Sequence, residues 1–397
     1  MAIPMPTSRC SPMTAPICPP SCAAGASTRT RSIEARPPTK SRIAQSGHPD
    51  HRSGDRPWAF GNHGVHMMKS NVLALAVGLA GLLSSAALVQ AAEYKVAFLA
   101  ASSQNGYNQA IYEGVKKAAA ARGVEVEIFN GEFDATKQYS QVEDIVAGGK
   151  FQGIVIAPND SIGIATAIEE ATKAGLKVAT TLFPIGPKLD VLEPQVPGLV
   201  TTVASNPAIG AKAQADAVID FCKDKNPCKV VIIIGQKIYP FDNLRYDTYL
   251  KALGEQKNIE IVATVEGNYD PDKSMTGMQD VLQAHKDINV VLSNADQHLV
   301  GAEIAINDAG LDLKSLYLIG GGANQIAIDA IKAGRWDATL AQLPMSEGEY
   351  ALNGVVDALE GKPTPAFTDE MSLGTVPPII TKSVLDAHPE YKPEWQG

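Results

Sequence analysis

The sequence lacks the short motifs that carry the commonest enzyme chemistry. It contains no G-x-S-x-G, no H-E-x-x-H and no G-x-x-x-x-G-K-[ST]. Of its seven histidines, only His285, His298 and His388 lie after residue 92, and they are far apart along the chain. The glycine-rich GGGANQ at 320–325 lacks the dinucleotide-binding spacing and is better explained by close backbone packing at a cleft. We therefore expect a protein that is not an enzyme and that holds neither a metal ion nor a cofactor.

Cysteine is also scarce. Three of the five cysteines lie in the first 22 residues, which leaves Cys222 and Cys228 in the segment FCKDKNPCK. In an oxidising compartment this spacing predicts one local disulfide, worth about 2 kcal/mol in the chain-entropy model. Two free thiols are the alternative, and a metal site is disfavoured because no histidine is near.

The first 91 residues read as two segments that do not belong to a folded domain. Residues 1–66 are rich in proline, serine and arginine and show no apolar periodicity, so we interpret them as a disordered tail or an untranslated leader. Residues 67–91 have the layout of a signal peptide, with Lys69, an apolar run at 72–83 and small residues at 89–91. We expect translation to start at Met67 or Met68. A membrane anchor is the alternative.

The charge of the chain argues against polyanionic partners. Its formal net charge is −9, although residues 1–66 carry eight basic residues against three acidic ones. The remainder is therefore more acidic than the total, and such a protein does not seek nucleic acid or an anionic membrane surface. Because no cysteine directly follows the signal peptide, we expect a periplasmic protein without a lipid anchor.

After residue 92 the sequence alternates between short apolar runs and amphipathic segments with helical spacing. Alternation of this kind predicts parallel sheets with helices on both faces. Ten strand-like runs are too many for one compact sheet, so we predict an α/β fold of two doubly wound lobes, with a first crossing near Ser205 and Asn206. The ten runs are YKVAFLA, VEVEIF, GIVIA, KVATT, LVTTV, KVVIII, IEIVATV, INVVLS, LYLIG and WDATLAQ.

A polar loop, SSQNGYN at 102–108, follows the first predicted strand. In doubly wound sheets ligands bind outside the carboxyl ends of the strands, so this loop is expected at the lip of a cleft. The alternative is an ordinary strand-to-helix loop, in which Asn105 and Gly106 make a turn and Asn108 caps the helix. Spacing alone does not separate the two.

Several longer segments resemble one known family. They are KVAFLAASSQNGYNQAIYEGVKKAAAARG, FNGEFDATKQYSQVEDIVAGGKFQGIVIAPNDS, GMQDVLQAHKDINVVLSNADQHLVGAEIAINDAG and AIKAGRWDATLAQLP. In order and spacing they are similar to the type I periplasmic solute-binding proteins of ABC importers, in particular the ribose-binding branch. The resemblance covers residues 92 to about 380.

The resemblance implies two lobes that are joined by a three-strand hinge and close on one solute. The chain would cross between the lobes near Ser205, Gln342 and Met371. The implied N-terminal lobe comprises residues 92–205 plus 343–371, and the C-terminal lobe residues 206–342 plus 372–397. A solute that contacts both lobes stabilises the closed state, and the membrane permease is expected to recognise that state.

The resemblance also implies ligand-binding residues. Asn105 and Tyr107 match an amide and an aromatic ring, while Asn108 replaces a second ring. In the second lobe Arg245 matches an arginine that binds sugar hydroxyls, Tyr269 a stacking ring, and Gln342 a hydrogen-bonding residue near the hinge. The alternatives are surface ion pairing for Arg245 and core packing for the tyrosines.

The sequence also departs from the ribose branch at several sugar-binding positions. An Asn is replaced by Ala157, an Asp-Arg pair by Leu182-Phe183, another Asn by Ala295, and an Asp by Gly322. Buried hydroxyls without partners cost about 1 to 3 kcal/mol each, which argues against ribose as the ligand. Nearby side chains that could compensate or line the pocket are Asn159, Asp160, Phe183, Gln236, Tyr239, Phe241, Asn294 and Asp296.

The sequence thus predicts a monomeric periplasmic protein that captures a small carbohydrate or polyol and delivers it to an ABC permease. The alternative is the ligand-binding component of a chemoreceptor or sensor-kinase pathway. The sequence does not separate these two partners.

Overall fold

The central strands are short apolar runs that are buried on both faces. β3 reads GIVI and is wholly buried, and β6 reads CKVVIII with only Lys229 partly exposed. Strands of this kind belong to parallel sheets that carry helices on both sides. The structure, a computed structural model, describes residues 94–397; the predicted leader (1–66) and signal peptide (67–91) lie outside the described residues.

Two six-stranded sheets form the described part of the chain. The first has the order β11-β5-β4-β3-β1-β2, and the second has the order β12-β10-β9-β8-β6-β7. All neighbours are parallel except β10 and β12. The strands are β1 Tyr94–Ala100, β2 Val124–Asn130, β3 Gly153–Ile156, β4 Lys177–Leu182, β5 Leu199–Ala204, β6 Cys228–Ile234, β7 Ile259–Glu266, β8 Val290–Ser293, β9 Tyr317–Gly322, β10 Ala338–Ala341, β11 Phe367–Asp369 and β12 Ile379–Thr381.

Helices cover both faces of each sheet, so each lobe has two apolar cores. This confirms the predicted fold class of two doubly wound lobes. The helices are α1 Gly106–Arg122, α2 Ala135–Gly148, α3 Ala165–Lys173, α4 Pro207–Cys222, α5 Pro240–Gly254, α6 Pro271–Ala284, α7 Asp296–Asp308, α8 Gln325–Lys332, α9 Pro344–Leu359 and α10 Lys382–Ala387.

The ten predicted strands all form, and β11 and β12 are two further strands of three residues each. Each is too short to show an alternating pattern, which explains why the sequence does not reveal them. They nevertheless belong to different sheets, so the chain passes between the lobes after β5, after β10 and again between β11 and β12.

The final residues of the described chain contact both lobes. Tyr391 packs against the core of the second lobe, whereas Trp395 is buried in the core of the first. Trp395, within the range 372–397 that the sequence assigns to the second lobe, therefore has contacts with both lobes, and that assignment stays a prediction.

The helix starts place polar residues at the edge where the strands end. The side chains of Asn105, Asp134, Asn206 and Asp270 accept hydrogen bonds from backbone N–H groups in the first turns of α1, α2, α4 and α6. Such caps satisfy donors that the helix leaves unpaired.

Two buried carboxyl groups lie together beside the crossings. Glu347 at the start of α9 and Glu370 after β11 are 0% and 1% exposed. The hydroxyl of Tyr107 donates to Oε1 of Glu347 at 3.1 Å and to Oε1 of Glu370 at 3.4 Å. Thr181 donates to Glu347 at 2.9 Å, and the backbone N–H of Leu343 donates to Glu370.

This environment favours one shared proton. Burial, and then the charge of Glu370, raises the pKa of Glu347 well above its ordinary value. Burial also raises the pKa of Glu370, but the hydrogen bonds from Leu343 and Glu347 oppose that shift. Glu347 is therefore the protonated member of the pair and Glu370 the ionised one.

Helices α1 and α9 approach each other closely through glycine. A Cβ atom on Gly114 would lie 1.9 Å from the carbonyl oxygen of Met345, and one on Gly348 would lie 2.0 Å from that of Ile111. We expect Gly114→Ala to lower the free energy of unfolding by about 1 to 3 kcal/mol, because the helices must move apart. Urea unfolding measures this change.

Gly148, the exposed last residue of α2, is the matched control, since a Cβ atom there would meet nothing within 4 Å. Gly148→Ala should leave stability unchanged or raise it by up to about 1 kcal/mol. Equal stability of the Gly114→Ala and Gly148→Ala variants would contradict the close approach.

The carboxyl pair should make stability depend on pH. Because the folded protein holds the Glu347 proton more tightly than the unfolded chain, its contribution falls as pH rises from the ordinary glutamate pKa of about 4.3 towards the raised value. Gln at position 347 mimics the protonated acid and does not titrate. We therefore expect Glu347→Gln to flatten the decline of the melting temperature as the pH rises above the ordinary glutamate pKa of about 4.3, relative to wild type.

Glu370→Gln is the control for this comparison. It replaces the ionised acceptor of the Leu343 N–H and should lower the melting temperature at every pH. Parallel curves for wild type and Glu347→Gln would show that Glu347 is not the protonated partner.

Candidate functional site

A cavity lies where the carboxyl ends of both sheets face each other. It comprises about 540 Å³ of space, part of which is open solvent. Almost every lining residue comes from a strand-end loop or from the first turns of the following helix. The lining residues are Ala101, Asn105, Tyr107, Asn108, Phe133, Pro158, Asn159, Leu182, Phe183, Phe241, Arg245, Tyr269, Asn294, Ala295, Gln297, Gly321, Gln342 and Trp395.

Most of the ligand-binding residues predicted from the sequence line this cavity. The residues that the structure brings together there are Asn105, Tyr107, Asn108, Phe183, Arg245, Tyr269 and Gln342. Their contact with a solute remains a prediction.

The structure places Asp160 and Asp296 elsewhere. The carboxylate of Asp160 accepts the backbone N–H groups of Ile162 and Gly163, both at 2.9 Å, and so holds a turn. Asp296 is fully buried and accepts the hydroxyl of Thr339 at 2.8 Å and the backbone N–H of Asn324 at 3.1 Å. Burial raises the pKa of Asp296 to about 7. Both aspartates thus stabilise their own lobe and do not line the cavity.

The loop at 102–108 serves both of the roles that the sequence left open. Asn105, not Asn108, is the helix cap: its Oδ1 accepts the backbone N–H and the Nδ2–H of Asn108, both at 3.2 Å. Asn108 in turn accepts the backbone N–H of Ala101 at 3.0 Å. The amide of Asn108 is therefore largely used within the lobe, although both residues face the cavity.

On the second lobe the polar wall is organised by Asp242. Its carboxylate accepts the hydroxyl of Tyr269 at 2.6 Å, Nδ2–H of Asn294 at 2.9 Å and the backbone N–H of Gln236 at 2.8 Å. Nη1 of Arg245 lies 3.6 Å from Asp242 and donates to the hydroxyl of Tyr269 at 3.4 Å. Burial raises the pKa of Asp242, and the guanidinium and these hydrogen bonds oppose the shift.

This network leaves unused hydrogen-bonding groups on residues that line the cavity. Oδ1 of Asn294 is buried and has no hydrogen-bond partner within residues 94–397. Arg245 is 7% exposed and, with five N–H donors, can bind more than Tyr269. Arg245 and Asn294 both donate to the hydroxyl of Tyr269, at 3.4 and 3.3 Å, so the two side chains line the same part of the cavity. Gln297 and Gln342 also line the cavity.

A neutral histidine holds Tyr269 in place. Nε2 of His298 accepts the backbone N–H of Tyr269 at 2.8 Å, and Nδ1 pairs with the hydroxyl of Ser293 at 2.9 Å. Burial lowers the pKa of His298 to about 3, so the ring is an uncharged acceptor at neutral pH. It fixes a tyrosine whose φ is +56°, a conformation that is uncommon for a bulky residue.

The opposite wall, from the first lobe, combines amide side chains with an apolar part formed by Phe133, Leu182 and Phe183. Phe133 and Leu182 adopt φ angles of +55° and +70°, so two bulky residues are held in the left-handed region beside the cavity. Strain of this kind persists only where the surrounding structure enforces it, and it concentrates at functional sites. Leu182 and Phe183 stand where the resemblance implies an Asp-Arg pair.

Aromatic rings meet across the cleft between the lobes. Phe183 stacks on Phe241 with ring centroids 3.9 Å apart, and the guanidinium carbon of Arg245 lies 5.0 Å from the ring centre of Phe183. The hydroxyl of Tyr239 donates to the carbonyl oxygen of Phe133 at 3.1 Å. The lobes are therefore in contact through aromatic side chains at the cavity.

Three residues at or beside the cavity were not among the ligand-binding residues predicted from the sequence. Asp242 lies three positions before Arg245 on α5, and this i,i+3 spacing is a signal that could reveal it. Phe133 and Trp395 have no such signal, because the first sits in a loop and the second lies far along the chain.

Three further expectations concern the cysteines, metal binding and membrane-spanning helices. Cys222 and Cys228 form a disulfide between the end of α4 and the start of β6. Within residues 94–397 there is no group of three or more His, Cys, Asp or Glu side chains that could hold a metal ion. No helix in this part of the chain is long and apolar enough to cross a membrane.

Comparisons with known proteins agree with the two-lobed fold. The family described as a periplasmic binding protein domain matches residues 96–363. The ribose import binding protein of Bacillus subtilis (strain 168) is 31% identical over 271 residues, which cover 68% of this chain and 83% of that protein. The D-allose-binding periplasmic protein of Escherichia coli (strain K12) is 28% identical, with 70% and 88% covered.

Solved structures show the same fold. A solute-binding protein of an ABC transporter from Mycobacterium smegmatis with bound glycerol is 25% identical, with a TM-score of 0.65 over 77% of this chain and 99% of that one. A galactofuranose-binding protein is 22% identical, with a TM-score of 0.65 over 75% and 97%. The resemblance to the ribose-binding branch is thereby confirmed, as is the expectation of a binding protein and not an enzyme: the chain belongs to the periplasmic binding protein family.

Proposed function

We propose that the protein captures a small, sparingly hydroxylated carbohydrate or polyol between its lobes and delivers it to an ABC permease. The ribose import and D-allose-binding relatives support a carbohydrate ligand and an importer. The observation that carries the choice of solute is the asymmetry of the cavity. Arg245 and Asn294, whose Oδ1 has no partner within residues 94–397, line it from one lobe, and Leu182, Phe183 and Phe133 line it from the other.

Each wall suits a different part of such a solute. Hydroxyl groups can bind to the second-lobe network, where Arg245 and Asn294 both contact the hydroxyl of Tyr269. The C–H face of a sugar ring, or a methyl group of a deoxy sugar, packs well against aromatic rings. A hydroxyl directed at Leu182 or Phe183 would lose its hydration without gaining a partner there, at about 1 to 3 kcal/mol. A fully hydroxylated pentose is therefore a poor fit.

The proposed closing units follow the two sheets. They comprise residues 92–205 plus 343–371 and residues 206–342 plus 372–397, with Trp395 as an exception because it packs in the first lobe. A solute bound to both walls stabilises the closed state by its contacts with each lobe. We further propose that the protein works as a monomer in the periplasm, exported by its signal peptide and without a lipid anchor.

A thermal-shift panel of pentoses, hexoses, deoxy sugars, polyols and amino acids tests the proposal. A true ligand stabilises the folded state by about 2.7 kcal/mol when its concentration is a hundredfold above Kd, and so raises the melting temperature. Deoxy sugars, which have a C–H or methyl group where other sugars have a hydroxyl, should give the largest shifts. Arg245→Ala should weaken their binding roughly ten- to hundredfold, since a hydrogen bond to a charged group contributes about 1.5 to 3 kcal/mol.

Arg335→Ala is the matched control, because Arg335 is in the second lobe but pairs with Glu303 on the surface. It should leave the shifts unchanged. A response confined to amino acids, or equal loss of binding in both arginine variants, would refute the proposed ligand class.

The apolar wall should determine selectivity. Leu182 has a φ of +70°, which asparagine adopts more readily than leucine, so Leu182→Asn should not reduce stability. The new amide gives a sugar hydroxyl a partner on the first lobe. We expect the variant to bind D-ribose about tenfold more tightly relative to 2-deoxy-D-ribose than wild type does. An unchanged ratio in calorimetric titrations would show that Leu182 does not face the solute.

A further inference from the structure

The last four residues of the sequence are anchored to both lobes. The carboxylate of Glu394 accepts the backbone N–H of Ser346 at 3.0 Å and its hydroxyl at 2.5 Å, and Ser346 lies on α9 of the first lobe. The carbonyl oxygens of Trp395 and Gln396 accept the backbone N–H groups of Gln325 and Ile326 at 2.9 and 3.4 Å, at the start of α8 in the second lobe. We call residues 394–397 the tail.

Trp395 is the centre of this segment. The indole is 4% exposed and meets the ring of Tyr107 edge-on, with centroids 5.3 Å apart and planes at 81°. Its Nε1–H donates to the carbonyl oxygen of Gly322 at 2.7 Å. Trp395 therefore contacts Tyr107 on the first lobe and Gly322 on the second. Its indole also lines the cavity.

Glycine at two positions makes room for the tail. Gly322 has a φ of +124°, and a Cβ atom there would lie 2.7 Å from Cζ2 of Trp395. A Cβ atom on Gly106 would lie 2.4 Å from the carbonyl oxygen of Gly397. Because backbone on both lobes is shaped to accept these residues, the tail is an integral part of the fold.

The contact with Tyr107 connects the tail to the crossings between the lobes. The hydroxyl of Tyr107 is bound to the carboxyl pair of Glu347 and Glu370. Its ring thus lies between that pair and the indole of Trp395. A movement of one lobe relative to the other must alter the Trp395–Tyr107 contact, the hydrogen bond to Gly322, or both.

We propose that the tail is a fourth connection between the lobes and that Trp395 contacts the bound solute. This inference rests on the proposed function for the solute contact but not for the connection. An indole offers an apolar face to the C–H groups of a carbohydrate. The tail therefore couples occupation of the cavity to the relative position of the lobes.

The solute contact is tested with D-fucose, L-rhamnose and 2-deoxy-D-ribose, by calorimetry and tryptophan fluorescence on the same protein. We expect Trp395→Ala to weaken binding about tenfold or more, as truncation of a buried aromatic contact residue does, and Trp395→Phe to weaken it less. The change in fluorescence on binding should disappear in Trp395→Phe. It should persist in Trp336→Phe, because Trp336 is buried in the core of the second lobe.

The connection is tested by hydrogen exchange on the protein without added solute. In Trp395→Ala the amides of Ser346 on one lobe and of Gln325 and Ile326 on the other should lose protection together. Lys392→Ala, an exposed change in the same part of the chain, is the control and should leave them protected.

The outcomes separate the two parts of the inference. Full affinity of Trp395→Ala together with an unchanged fluorescence response would overturn the solute contact. Unchanged protection, or loss of protection on one lobe alone, would overturn the connection. If none of the three probes binds the wild-type protein, the proposed carbohydrate function and the solute contact both fail, while hydrogen exchange still decides the connection.

Discussion

The parallel arrangement of the strands is the constraint from which the site follows. In each sheet all strands except β12 run in the same direction, so their carboxyl ends share one edge. The two sheets present these edges to each other, and the loops that follow the strands meet in one cavity. Polar caps and turns are required at those loops for local reasons, since helix N–H groups need acceptors there. The fold therefore supplies hydrogen-bonding groups at the cleft before any solute is considered.

The two lobes use this common geometry differently. On the second lobe, Asp242 fixes Tyr269 and Asn294 and lies beside Arg245, so the donors and acceptors there are already oriented. On the first lobe, the polar atoms of Asn108 and Tyr107 are largely used within the protein, and Phe183 presents an apolar face. In the function proposed above, a solute gains its directional bonds mainly from one lobe and its apolar contact from the other. A solute that satisfied both walls would favour closure, which would give selectivity without a large number of hydrogen bonds.

The sequence predicted the regular part of the structure well and the site only in part. Apolar periodicity located all ten longer strands and the two-lobed division, because buried parallel strands and amphipathic helices leave strong patterns. The three-residue strands β11 and β12 leave none. Among the site residues, the polar loop at 102–108 and Arg245 were found from strand ends and family resemblance. Asp160 and Asp296 were assigned to the site because they are next to it in the sequence. In the structure their carboxylates form hydrogen bonds within their own lobes.

The residues that the sequence could not reveal are those whose role depends on contacts between distant segments. Glu347 and Glu370 are 23 positions apart and meet at Tyr107, which precedes them by more than 200 residues. Gly322 and Trp395 are 73 positions apart, so the sequence does not indicate that they are in contact. In the structure the indole occupies the space that a side chain at position 322 would need. The same contacts lie beside the crossings of the chain between the two sheets. The parts of the molecule that are hardest to predict from local pattern are therefore the ones where both lobes meet beside the cavity.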